Sequence, residues 1–252
     1  MSAVLSVRGA SLAFGDRTLW HDLDLTVEAG EFLAVIGPNG TGKTSLLKAI
    51  LGQQELTSGT VEVAGGAASV GYIPQQKMLA ASVRARDLVG FGVSGTRWGF
   101  PFPRRRDRQR VDELLAAVGA TAFADKPVSM LSGGEQQRLR VGQAIAGDPS
   151  LLLCDEPLLS LDLAHQRGVS ELIDAQRTTG AGVVFVTHDV NPILNMVDRV
   201  LYLAGGTFRI GTPDEVLRSD VLSEMYGTPV DVFRAHDRIV VVGAPDEHGD
   251  HH

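Results

Sequence analysis

The 252-residue chain is 44% hydrophobic and 21% charged, an ordinary globular balance with room for one large domain or two small ones. Its formal net charge of −7 argues against nucleic acid as the main partner. A single cysteine, Cys154, excludes an internal disulfide and suits a reducing cytosol, and no apolar run approaches the ~18 residues of a membrane span. The N-terminal MSAVLSVRG has no signal-peptide core, so the expectation is a cytosolic chain whose membrane role comes through a partner.

Residues 1 to 30 alternate with period two, as AVLSVRGASLAF and LWHDLDLTVEAGE, which predicts antiparallel strands turning at Gly15-Asp16. Phe14 beside that turn is either a core residue or an aromatic able to stack on a nucleotide base. FLAVI (Phe32 to Ile36) reads as a buried parallel strand. GPNGTGKT, Gly37 to Thr44, then matches G-x-x-x-x-G-K-[ST], and SLLKAIL continues it as a helix that Gly52 can cap. Strand, Gly-rich loop and helix form a phosphate cradle. Glycines let backbone N–H groups turn inward, and the helix N-terminus adds partial positive charge. Lys43 would reach the β- and γ-phosphates and Thr44 would hold Mg²⁺; Gly37, Asn39, Gly40, Gly42 and Ser45 complete the nucleotide-contacting set.

QQELTSGTVEVAGG is a turn and a strand, and SVGYIPQQ is a strand ending at Pro74 and Gln75. Gln75 is an ordinary surface amide unless the fold sets it beside the Mg²⁺. Residues 77 to 130 are more irregular: Gly, Arg and aromatics mix up to Pro103, and PRRRDRQR leads into the helix VDELLAAVG. Arg104, Arg105, Arg106, Arg108 and Arg110 are a solvated face or a contact with a membrane partner or lipid head groups. In LSGGEQQR, Ser132 and Glu135 form a capping box, with Gly133 and Gly134 leaving the first turn bare. Spacing alone reads as an ordinary capped helix, with an anion site as the alternative.

LLLCDEP is a buried strand ending in two carboxylates. Asp155 can bind the Mg²⁺ hydration shell beside Thr44, and Glu156 can polarise an attacking water. Cys154 reads as packing. An amphipathic helix follows Asp162, and GVVFVTHD is another parallel strand that carries His188 to the edge where open α/β sheets place ligands, which points it at the γ-phosphate. Asn191-Pro192 reads as N-cap and N1 of the next helix. VLYLAGGTFRIGT is a hairpin turning at Gly205-Gly206, Thr212 to Glu215 is a second capping box, and the tail adds a hairpin. His236, His248, His251 and His252 belong to a solvated tail or a transition-metal site.

Phosphate loop, YIPQ, LSGGEQQR, LLLCDEP, SLD and THD in that order resemble the nucleotide-binding subunit of an ABC transporter, over about Val4 to Leu217. The resemblance implies a P-loop NTPase of ABC type: a mainly parallel α/β sheet core, an N-terminal antiparallel β subdomain and a helical subdomain. It implies a single domain over 1–252, with a RecA-like core at about 1–76 and 148–218, the helical subdomain at about 77–147, and the C-terminal hairpin and tail at about 219–252. It implies Phe14 on adenine, Gln75 on Mg²⁺, Ser132 and Gly134 on the γ-phosphate held by a second subunit, Glu156 as general base, Asp162 in the dimer-coupling loop and His188 as the γ-phosphate switch. ATP and Mg²⁺ are the implied cofactors. The implied partners are a second copy in a head-to-tail dimer, a transmembrane permease and an extracytoplasmic substrate-binding protein, at the cytoplasmic face of the membrane. DEPLLSLDLAHQ, THDVNPIL, MVDRVLYLAGG and a short hairpin at MYGTPVDV resemble zinc- and manganese-type metal-ion importers, with iron-siderophore importers the alternative. A soluble ABC ATPase acting on nucleic acid is the remaining reading; a single cassette, no heptads and the net charge speak against it.

Overall fold

The computed structural model describes residues 2–75, 82–94, 105–159, 161–235 and 238–243. Strands β1 (Ala3–Phe14) and β2 (Arg17–Glu28) pair antiparallel, with Phe14 opposite Arg17 across the Gly15-Asp16 turn, as the alternation predicts. β3 (Phe32–Ile36) and helix α1 (Lys43–Ile50) flank the Gly-rich loop. β4 (Ser58–Val63) joins β1, giving a three-stranded sheet ordered β2-β1-β4.

The remaining elements are β5 (Val70–Ile73), α2 (Ala85–Ser94), α3 (Arg105–Ala117), α4 (Gly133–Ile145), β6 (Leu151–Asp155), α5 (Leu163–Ala175), β7 (Gly182–Val186), β8 (Arg199–Ala204), β9 (Thr207–Gly211), α6 (Pro213–Val216), α7 (Ser219–Tyr226), β10 (Val230–Ala235) and β11 (Arg238–Gly243). The main sheet is six-stranded, ordered β5-β6-β7-β3-β8-β9, parallel except for the β8–β9 hairpin. Every residue of β3, β6 and β7 is buried, because both faces of this sheet are covered. Alternate side chains serve two cores. Leu33, Val35, Leu151, Leu153, Val184 and Val186 pack with Trp20, Leu46 and Leu47 under the three-stranded sheet and α1. Phe32, Ala34, Leu152, Cys154, Val183 and Phe185 pack on the other face, in a cluster that includes Val89, Leu115, Leu139 and Ile173. Cys154 is fully buried, as a packing residue should be.

Of the arginine cluster, Arg104 lies outside the described residues. Arg105, Arg106 and Arg108 are exposed on α3, and Arg110 binds Asp148 at 2.7 Å, tying α3 to the turn after α4. His236, His248, His251 and His252 lie outside the described residues.

Two expectations at the C-terminal end are corrected. MYGTPVDV is not itself a hairpin: Met225 and Tyr226 close α7, Gly227 takes the left-handed conformation after it (φ 67°), and the hairpin is β10–β11. Asn191 is not an N-cap. It is the first residue of a 3-10 turn, Asn191–Met196, whose cap is Val190. Its side chain is committed elsewhere: Nδ2 donates to the carbonyl of Ile239 (3.0 Å) and Oδ1 accepts from the Ile239 N–H (2.7 Å). Asp189 Oδ1 accepts from the Asn191 N–H at 3.0 Å and from Nδ2 at 2.7 Å. The amide thus pairs with β11 as a strand residue would. Asn191→Ala leaves the Ile239 N–H without that acceptor, so its hydrogen exchange should speed up roughly tenfold or more while β3 stays protected. Unchanged exchange at Ile239 would remove this anchor.

Candidate functional site

Three adjacent strands, β6, β7 and β3, end at one edge of the sheet and deliver the chemistry there. β3 runs into the Gly37–Thr44 loop. Gly37 lies at φ 143°, and a Cβ there would strike the Leu203 carbonyl. Gly42 lies at φ 95°, where a Cβ would come within 2.9 Å of both Trp20 Nε1 and Leu19. The loop therefore lies tightly over β8 and β2, and only glycine fits these two positions. Lys43 is buried and curls back, its ammonium donating to the carbonyls of Gly37 (2.7 Å) and Pro38 (2.8 Å). Burial lowers its pKa, opposed by the charges of Glu156 and Asp155. Asn39, Gly40 and Ser45 belong to the same loop and first turn.

Asp155 closes β6 at 1% exposure and accepts from the Thr44 hydroxyl at 3.1 Å. Burial raises its pKa, against the Thr44 hydrogen bond. Glu156 follows at φ 50°, a left-handed conformation unusual for a side-chain-bearing residue, and its N–H donates to Val186. That backbone turns the carboxylate toward β7, where Oε2 lies 2.9 Å from His188 Nδ1. The sequence-predicted Lys43, Thr44, Asp155, Glu156 and His188 are thus one constellation.

The others sit around it. Gln75 is exposed and lies two residues beyond Ile73, as Glu156 lies two beyond Cys154 in the paired β6. Phe14 is 51% exposed at the β1–β2 turn, which rules out the core alternative and leaves its face open to a base. Ser132 caps α4: its hydroxyl accepts from the Glu135 N–H (3.3 Å), and Glu135 Oε2 accepts from the Ser132 N–H (2.8 Å). Gly134 lies in the first turn, beside Leu161. Asp162 caps α5, accepting from the His165 N–H at 2.9 Å. Among the described residues nothing places Ser132 or Asp162 against the Lys43 constellation.

Sequence reasoning missed Gln137 and Arg17. Gln137 is fully buried and donates to the Pro157 carbonyl at 3.1 Å, tying α4 to the turn after Glu156. A glutamine inside a helix carries no signal for that. Arg17 donates from Nη2 to the Gly40 carbonyl at 2.9 Å.

A buried ammonium held by loop carbonyls, with a hydroxyl and a carboxylate beside it, suits an anionic phosphate chain and a hard cation at once. Strand, Gly-rich loop, helix and this donor set define a P-loop nucleotide-binding protein. Comparison with known proteins narrows the class. The ABC transporter family model matches residues 20–159. The hemin import ATP-binding protein HmuV of Rhodopseudomonas palustris (strain BisB5) is 36% identical over 93% of this chain and 94% of that protein. HmuV of Pseudomonas aeruginosa is 35% identical over 93% and 97%. A solved chain from a transporter assigned to the metal-chelate type, in an inward-facing conformation, superposes with TM-score 0.82 at 28% identity, covering 97% of this chain and 99% of that one. The chain belongs to the ABC transporter family, as its ATP-binding, ATP-hydrolysing subunit. Among the described residues no helix is long and apolar enough to cross a membrane.

Asp155 illustrates the conflict between function and stability. Its raised pKa means the native state binds more protons than the unfolded one between the two pKa values, so stability falls as pH rises through that window. Asp155→Asn keeps an oxygen for Thr44 and removes the desolvated charge. The nucleotide-free variant should be about 1 kcal/mol more stable at neutral pH by denaturant titration, and Mg²⁺-dependent hydrolysis should be lost. A variant less stable than wild type at pH 7 would contradict the burial account.

Proposed function

We propose that the chain powers an importer of an iron chelate of the heme type, coupling ATP hydrolysis to a membrane permease at the cytoplasmic face. The observation that carries the cargo is the near full-length similarity to proteins named for hemin import; the solved metal-chelate type transporter points the same way. These relatives favour the iron-chelate alternative over zinc or manganese, which rested on DEPLLSLDLAHQ, THDVNPIL, MVDRVLYLAGG and MYGTPVDV.

In this reading ATP lies in the Gly37–Thr44 loop with its base on Phe14 and its phosphates on Lys43. Thr44, Asp155 and Gln75 would hold Mg²⁺, supplied with the nucleotide, which would neutralise charge on the phosphates. Glu156 orients the attacking water and takes its proton, and His188, held by Glu156, meets the γ-phosphate. Ser132 and Gly134 of a second copy close over that phosphate, and Asp162 couples the two halves. The α2–α4 stretch within about 77–147 faces the permease, and a substrate-binding protein delivers cargo outside. Support comes from the 2.9 Å Glu156–His188 pair, the Thr44–Asp155 bond and the exposed Phe14.

The test is uptake. Cells carrying Glu156→Gln as the only copy should lose growth on heme or a ferric chelate as sole iron source and keep their manganese and zinc contents. A selective fall in manganese or zinc would restore the metal-ion reading.

A further inference from the structure

Arg17 belongs to no motif singled out in the sequence, yet it touches the phosphate loop directly. It opens β2 opposite Phe14, so the two-residue turn holds an exposed aromatic residue and an arginine as cross-strand partners. Its Nη2 donates to the Gly40 carbonyl at 2.9 Å. Gly40 itself is at φ 80°, and a Cβ there would come within 3.2 Å of the same nitrogen, so loop and guanidinium are in close contact. Arg17 also lines a cavity of about 500 Å³ with Thr18, Gly40, Thr41 and Thr207. Gly40 and Thr41 are loop residues, so this cavity opens beside the cradle and apart from Asp155 and Glu156.

A neutral carbonyl is a modest partner for a guanidinium. An anionic phosphate oxygen makes a shorter bond of about twice the strength, and Arg has five N–H donors with which to meet it. Exposed and on a flexible stem, Arg17 can exchange one acceptor for the other without unfolding anything. We infer that Arg17 is an ATP-binding residue: it holds the loop through the Gly40 carbonyl when no nucleotide is present, and transfers to the phosphate chain of ATP when the base stacks on Phe14. The β1–β2 turn then recognises both ends of the nucleotide, the ring by Phe14 and the charge by Arg17. The inference rests on ATP occupying the Gly37–Thr44 loop.

Three variants of the full chain separate the charge from the polar side chain. Arg17→Gln keeps a polar side-chain N–H and removes the charge, Arg17→Lys keeps the charge, and Arg17→Ala removes both. ATP affinity is measured by titration calorimetry at low and high salt, with Lys43→Ala as the control for the loop. Arg17→Gln and Arg17→Ala should weaken ATP about tenfold, Arg17→Lys no more than about threefold, and the loss should shrink at high salt. Wild-type ATP affinity in Arg17→Gln would overturn the inference and leave Arg17 as loop support alone. Wild-type affinity in Lys43→Ala would instead remove the ATP site on which it rests.

Discussion

Glu156→Gln is expected to bind ATP as tightly as the wild type and to hydrolyse it at least ~10²-fold more slowly, the usual loss when a general base is removed. The geometry makes this a clean substitution. Glutamine has the same shape, tolerates the same φ of 50° as glutamate, and can still bond His188 across the 2.9 Å gap by choosing its oxygen or nitrogen. On the proposed mechanism only the proton acceptor disappears. Because closure outlasts the missing chemistry, the ATP-bound dimer should accumulate, visible as a doubled mass in size-exclusion chromatography with light scattering when ATP and Mg²⁺ are present. Turnover within threefold of wild type would assign the base elsewhere, and failure to bind ATP would show that Glu156 is needed to build the site.

Lys43→Ala should fail one step earlier. The ammonium is buried and its two hydrogen bonds go to the loop's own carbonyls, at 2.7 and 2.8 Å, so it is positioned before any phosphate arrives. Removing it deletes at least one charge-assisted bond to ATP, worth about 3 kcal/mol, so affinity should fall about a hundredfold. The fold should survive, because a desolvated cation leaves with the side chain. Calorimetric titration and thermal unfolding separate the two: lost binding with a melting temperature within a few degrees is expected. Undiminished binding would remove the Gly37–Thr44 loop as the ATP site.

The sheet was legible because its centre is buried on both faces. FLAVI, LLLC and GVVFV are unbroken apolar runs, and each is followed by or ends in a residue the site uses or leads into. The capping boxes at Ser132 and Thr212 were legible because they are local, each spanning four residues. Asn191 was misread for the matching reason. Asn-Pro is a common helix opening, and nothing within a few residues reveals that the amide is claimed by Ile239, 48 positions away. Gln137 and Arg17 share that difficulty, since each acts through one long-range contact with a backbone carbonyl. The cargo was illegible for a different reason: the residues placed around ATP carry nucleotide chemistry, which is common to every member of the family whatever it transports.

The strand order has a consequence for how this protein is made. β3, the strand that leads into the phosphate loop, pairs only with β7 and β8. It leaves the ribosome early, and its neighbours Gly182–Val186 and Arg199–Ala204 follow roughly 10–30 s later at ordinary rates of synthesis. For that interval a fully apolar strand has two unpaired edges, a period in which holding by a chaperone would protect it from aggregation. The same delay keeps Lys43 apart from Glu156 and His188, so on the proposed mechanism an unfinished chain would not hydrolyse ATP.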